Sequence, residues 1–401
     1  MWIDVRPLRR RDFRLLFIGQ FVSFFGSMLT YVALPYQVFQ LTRSSLAVGA
    51  VGIVELVALL STAFAGGAFA DSMDRRKLLL WAEGLLGLTA AVLVGNSLLP
   101  HPSVWAIYVL AGVMSALNGF HRPALEALTP RLVPAEEIAG TVALSQLRHT
   151  IGMIAGPALA GFLIATLGLS WTFAVDLGTY AVAVTALAFM HGVPAPADAA
   201  PPSLARVLEG LRYAASRQEL LGTYIVDIIA MTFGMPTALF PALAEAHGWG
   251  ASIGWLYAAP SAGAFLATVT SGWTRRVRRH GVAIAIAASV WGMAIAAAGM
   301  TDRLPLVLLL LAVAGAGDMV SGLFRGRIWN ETIPDHLRGR LASIEMVSYS
   351  TGPLLGNAEA GFAAALVGLR GSIVSGGLLC IGGVVLSLCF LPGFLRYKAD
   401  K

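Results

Sequence analysis

SLAVGAVGIVELVALLSTAFAGGAFA-DSMDRRK, residues 45–77, decides the fold. Its first 26 residues carry a single charge, Glu55, and its last seven carry Arg75, Arg76 and Lys77. A helix rises about 1.5 Å per residue and a bilayer core is about 30 Å thick, so roughly 20 apolar residues suffice to cross it. The stretch therefore reads as a membrane helix ending in a short basic loop. Another apolar run, 78–99, follows at once.

Outward from this pair, the same ruler finds twelve runs, at about 14–40, 45–70, 78–99, 103–125, 141–166, 171–191, 219–243, 252–272, 282–300, 304–324, 342–367 and 372–395. The composition agrees: 57% of residues are hydrophobic, 12% are charged and mean hydropathy is +0.74. Soluble domains carry about 25% charged residues. These numbers exclude a soluble enzyme, a disordered chain and a nucleic-acid-binding protein. Short segments with period-2 alternation are absent, which argues against an outer-membrane barrel.

The net charge of +6 becomes a topology signal. Numbering the segments between runs alternately puts 24 of the 28 basic residues on the N-terminal side, Arg325 and Arg327 among them. Arg43, Arg303 and Arg370 fall on the other side, and Arg148 falls inside the fifth run. Positive residues collect on the cytoplasmic side, so both termini are expected there. The first apolar stretch is too long for a signal-peptide core and lacks a small-x-small site, so no cleaved signal is expected. Cys380 and Cys389 are nine residues apart on one expected helix, about 13.5 Å, too far to bridge.

The longest polar interruption separates two sets of six runs, giving expected domains 1–192 and 219–401 with a linker at 193–218. Pro194, Pro196, Pro201 and Pro202 stiffen the linker. After them Ser203 is an expected N-cap, and Leu204, Val207, Leu208 and Leu211 form the apolar stripe of a helix lying on the membrane surface. Each half has a Gly-Pro helix after a Pro- and Arg-bearing loop: GPALAG at 156–161 after TPRLVP, and GPLLG at 352–356 after IPDHLRGR. Such agreement suggests a parallel repeat, a plan secondary transporters use for alternating access around a site near the midplane, between the repeats.

GGAFADSMDRRK, 66–77, resembles the cytoplasmic loop signature of the major facilitator superfamily at Gly67, Ala70, Asp71, Arg75, Arg76 and Lys77. Ser72 and Asp74 depart from it. The corresponding loop of the second half, SGWTRRVRRHG, keeps the basic residues without the acid. Gly152, Gly156, Pro157 and Gly161 are similar to the superfamily's antiporter signature, with Ala160 in place of a Gly. The whole chain looks like the siderophore- and drug-exporter branch. VALPYQVFQLTRSSLAVG (32–49), LLPHPSVWAIYVL (98–110), LEALTPRLVPAEEI (125–138) and FPALAEAHGWGASIGWLYAA (240–259) carry that resemblance. Ser27 stands after Gly26 where many exporters of this branch have an acid.

The resemblance implies an all-α integral membrane protein with twelve transmembrane helices in two six-helix bundles, the major facilitator fold. It implies a gate at Gly67, Asp71, Arg75 and Arg76, with an Asp71–Arg75 latch, and close packing at Gly152, Gly156, Pro157 and Gly161. Charges in lipid are functional candidates by default. Arg148 is the sharpest: it cannot lose its proton and calls for an acid or an anionic substrate. Glu55 and Asp227 are expected proton carriers, with Asp318, Glu359 and Asp176 behind them. Tyr31, Tyr36, Gln37, Asn118, His121, Gln146, Tyr224, Trp329, Tyr349 and Asn357 are expected to line a cavity.

The seven histidines show no metal-ligand spacing on one helix, and no phosphate-binding G-x-x-x-x-G-K-[ST] loop occurs. No cofactor is expected, and a proton gradient is the expected energy source. The leading reading is a monomeric secondary transporter in the bacterial inner membrane, exporting an amphipathic siderophore or drug by proton antiport, with protons and membrane lipid as its other partners. A lysophospholipid or other lipid-like solute is the alternative substrate. A membrane enzyme would need clustered catalytic groups, and a non-transporting sensor an output domain; tails of about ten residues offer none.

Overall fold

The computed structural model describes residues 4–193 and 212–398, without the side chains of 63–72, 335, 336, 338–340 and 342–347. Among the described residues the regular structure is helical throughout. The first six long helices are α1 (Arg11–Thr42), α2 (Ser45–Ser72), α3 (Arg75–Leu98), α4 (Val104–Leu128), α5 (Ile138–Thr166) and α6 (Leu169–Ala188). Then come α7 (Gln218–Phe233), α8 (Phe240–Ala246), α9 (Ile253–Val269), α10 (His280–Gly299), α11 (Leu304–Thr332), α12 (Asp335–Phe390) and α13 (Pro392–Arg396). Ten described helices are long and apolar enough to cross a membrane. Part of the expected surface helix, including the stripe Leu204 to Leu211, lies outside the described residues; 212–216 is helical.

Helix boundaries follow local chemistry. Asp74 caps α3 by accepting from the backbone N–H of Arg76 at 2.9 Å and of Lys77 at 3.4 Å. Ser103 caps α4 in the same way, through the N–H of Ala106. Two boundaries differ from the sequence reading, and one falls where it is expected. The expected seventh span is two helices, α7 and α8, because Pro236 has no N–H to continue the ladder. The freed groups are met by side chains. Asn357 Oδ1 accepts from Thr237 Oγ1 at 2.5 Å and Ala238 N at 3.1 Å, and Tyr257 donates to Thr237 O at 3.1 Å. Irregular backbone at membrane depth is tolerated under such cover. The expected eleventh and twelfth spans lie on either side of Gly368 within α12, where a non-helical φ of 80° suits a residue without Cβ and breaks the helix in the expected gap. Finally, α11 continues eight residues beyond the expected end at 324, to Thr332.

The chain forms two compact units. One comprises 1–42, 54–202 and 250–254; the other comprises 43–53, 203–249 and 255–401. In the first, α1 packs on α5 and α6, and α3 on α4 and α6. In the second, α12 packs on α7 and α10, and α10 on α11. Small residues set the closest approaches, as expected where lipid offers no hydrophobic drive to associate. A Cβ on Gly152 would come within 2.5 Å of the Phe24 ring, and one on Gly156 within 2.5 Å of Met28 Cβ. In the second unit a Cβ on Gly352 would lie 2.7 Å from Met231 Cβ. The Gly-Pro helix of each unit thus lays a glycine on a methionine of that unit's first long helix.

Candidate functional site

The first unit buries two carboxylates. Glu83 on α3 is fully buried. It accepts hydrogen bonds from Gln20 Nε2 at 2.7 Å and Ser23 Oγ at 2.9 Å, both on α1, and His121 Nε2 on α4 lies 2.9 Å away. Gln20 and Ser23 sit three residues apart, so one face of α1 presents both. Arg148 on α5 joins the cluster from the other side of Gln20, donating to its carbonyl at 3.3 Å. The Arg148 guanidinium also lies 5.7 Å from the centre of the Phe24 ring, on which His149 stacks at 5.2 Å. Gln146 and His149, on the same helix, are exposed.

Asp176 on α6 is also fully buried. Thr30 Oγ1 donates to it at 2.5 Å, and Thr179 Oγ1 lies 3.3 Å from its other oxygen. Gly26 makes room: a Cβ there would meet Asp176 Oδ1 at 2.6 Å and Thr179 Cβ at 2.8 Å.

In the second unit, Asp227 on α7 forms an ion pair with Arg325 on α11, and Asp318, seven residues back on α11, lies 3.5 Å from the same guanidinium. The Arg325 and Asp227 side chains are 12% and 10% exposed, and Asp318 is 40% exposed. Two acids thus share one arginine deep in an apolar helix pair. Beside them Tyr224 stacks on Trp329 at 5.5 Å, and Trp329 Nε1 donates to Thr223 Oγ1 at 2.9 Å.

The sequence-selected residues fall unevenly around these clusters. Asp227 and Asp318 share Arg325. Arg148 forms no ion pair among the described residues; a backbone carbonyl and an aromatic face are its partners. The Glu55 and Glu359 carboxylates have no hydrogen-bond partner among the described residues, and both side chains are half-buried. Gln37 is buried with its Oε1 unpartnered, Tyr36 is half-buried, and Asn118 donates to Met114 O on its own helix at 2.9 Å.

At the loop signature, Arg75 is buried and donates to Ala127 O at 3.4 Å, while Arg76 donates to Leu187 O at 2.7 Å and Ala188 O at 2.6 Å. The Asp71 side chain lies outside those described, as do the surroundings of Gly67, and with them the expected latch. Gly152, Gly156 and Pro157 pack α5 on α1 as above. Gly161 meets the backbone of Gly254, at 2.6 Å from an added Cβ.

Two functional candidates escaped the sequence reading. Glu83 is the one charge in the apolar run 78–99, a signal as plain as Glu55 in its own run. The alternation of apolar runs puts Arg325 in a cytoplasmic loop. It lies inside α11, because that helix runs past the apolar stretch into FRGRIWNET.

The description "transmembrane secretion effector" belongs to a family whose sequence profile matches residues 4–398. The protein named Enterobactin exporter EntS of Shigella boydii serotype 18 is 30% identical over 397 residues, covering 96% of this chain and 93% of that one. The protein of the same name in Escherichia coli O81 matches to the same extent. Among solved structures, a bacterial homologue of the human lysosomal transporter Spinster shares the fold at a TM-score of 0.78 and 13% identity, covering 99% of this chain and all of its own. The nucleoside transporter NupG does so at 0.77 and 12%, covering 96% of this chain and 100% of its own. The family and its relatives are transporters rather than enzymes, and the apolar helices make this a multi-pass inner-membrane protein. The chain belongs to the transmembrane secretion effector family of the major facilitator superfamily.

Proposed function

We propose that this protein is a secondary exporter of a siderophore-like, amphipathic small molecule, working by alternating access with proton antiport. The observation that carries the proposal is the Asp227–Arg325–Asp318 cluster inside apolar helices. Ionisable groups in a membrane interior are costly and persist where they serve a substrate or ion path. One arginine between two acids is a two-position element. While Asp227 is ionised it holds Arg325. A proton on Asp227 cancels that attraction and leaves Asp318 as the stronger partner, so protonation biases the helix pair toward a second arrangement. Glu55, half-buried and without a hydrogen-bond partner among the described residues, is a second proton carrier. Arg148, over Phe24 and beside exposed Gln146 and His149, suits an anionic or aromatic part of the substrate.

The kinship with proteins named as enterobactin exporters supports a siderophore as the substrate class. The excess of basic residues on alternate segments supports cytoplasmic termini. A monomer suffices for this mechanism. The test is reconstitution into sealed vesicles with an imposed pH gradient. Siderophore flux is expected to follow the gradient, and a Glu55→Gln/Asp227→Asn double variant is expected to lose that dependence. Gradient-driven flux that survives in the double variant would remove both acids from the coupling step.

A further inference from the structure

The two buried acids of the first unit sit in opposite electrostatic settings. Glu83 accepts from Gln20 and Ser23, His121 Nε2 lies 2.9 Å away, and Arg148 donates to the backbone carbonyl of Gln20. A carboxylate with several hydrogen bonds and a nearby cation is stable as an anion. Asp176 has hydroxyls alone. The Thr179 hydroxyl gives its proton to the backbone carbonyl of Asp176 at 2.7 Å, which leaves Thr30 as the one donor to the carboxyl. No Lys, Arg or His lies within 4 Å of Asp176 among the described residues.

The elements packed around Asp176 offer no compensation. α1 carries no charged residue between Arg14 and Arg43. α3 contributes another acid, Glu83, and α6 itself contributes Tyr180, which is buried. The nearest cation of α5 is Arg148, engaged at Gln20 and Phe24. Gly26 brings the α1 backbone against the carboxyl and leaves no room for a Cβ, let alone a cationic side chain. An isolated carboxylate in such a place takes up a proton rather than bear the desolvation cost.

We propose that Asp176 is a proton-binding site of the first unit, held as the neutral acid between α1 and α6 while Glu83 on the same α1 face is held ionised. Two carboxyls with environments that separate them in this way divide the work of storing and accepting a proton. Asp176 gives up its proton when α1 and α6 part enough to admit water: the O–H bond of the acid breaks, the proton passes to water and a carboxylate remains. Its use in transport rests on the proton-antiport reading above; its protonation does not.

Infrared spectroscopy of the purified full-length protein in lipid nanodiscs at neutral pH tests the proposal. Protonated-carboxyl absorption is expected in the wild type, reduced by one component in Asp176→Asn and unchanged in Glu83→Gln. A hydrophobic carbodiimide followed by peptide mass spectrometry is expected to modify Asp176 in preference to Glu83. Absorption undiminished in Asp176→Asn, or reduced in Glu83→Gln instead, overturns the assignment. In vesicles, Asp176→Asn is expected to bind siderophore and to lose the part of its flux driven by the pH gradient. Wild-type flux that ignores the gradient, beside a band that belongs to Asp176, would refute proton antiport and leave the site standing.

Discussion

Removing Arg325 is predicted to cost more than removing Asp227, and the difference can be worked from their surroundings. Both side chains are about nine-tenths buried, at 12% and 10% exposure. Breaking a buried ion pair by deleting one partner costs about 3–5 kcal/mol, because the other charge is left without compensation. Arg325→Gln does this to Asp227, which has no other cation within 4 Å among the described residues. Asp227→Asn leaves Arg325 beside Asp318 at 3.5 Å, and Asp318 is 40% exposed. Its cost should be about 2 kcal/mol, nearer that of a lost charged hydrogen bond. The double variant removes both charges and should fall well short of the sum, giving a coupling energy of about 2–3 kcal/mol. The assay is equilibrium unfolding in mixed micelles, followed by circular dichroism, on wild type, both single variants and the double. Equal single costs that add within about 0.5 kcal/mol would refute the shared-arginine account.

Three further perturbations test the packing and the helix ends. Gly156→Leu should destabilise the protein by about 1–3 kcal/mol, the range for overpacking, because its Cβ would lie 2.5 Å from Met28 Cβ; Met28→Ala in the same chain should return part of the loss in a thermal-shift assay. Asp74→Ala should cost about 1 kcal/mol through the lost cap of α3, while Asp74→Asn keeps most of it. Asn357→Ala strips the acceptor from Thr237 and Ala238 and should cost about 1–3 kcal/mol, seen as faster hydrogen exchange confined to the segment between α7 and α8.

Much of the fold was legible because each crossing helix is written as a long apolar run. The run at 45–70 and its basic loop sufficed to identify the class, and ten described helices are long and apolar enough to cross a membrane. The misreadings have one physical origin: apolar length marks the part of a helix in lipid, whereas backbone hydrogen bonding sets where the helix ends. α11 therefore reaches Thr332 although its apolar run stops at 324, and Arg325 moves from a loop to an ion pair. Likewise Pro236 divides one apolar run into two helices.

The sites were less legible than the fold. Arg148 stood out as a charge, yet its partners, a carbonyl and a ring, leave no trace in charge pairing. Glu83 was as visible as Glu55, but its meaning depends on Gln20 and Ser23, which are unremarkable in α1 until α3 is packed against them. Asp176 gains its meaning from what surrounds it, a glycine and two threonines, and no spacing rule points to that set.

Substrate flux measured in sealed vesicles against an imposed pH gradient tests the central claim most directly. With the siderophore-releasing face turned inward and the vesicle interior acidic, the account predicts accumulation inside that collapses when a protonophore dissipates the gradient. Accumulation that is unchanged by the protonophore, or no siderophore movement in either direction, would contradict it.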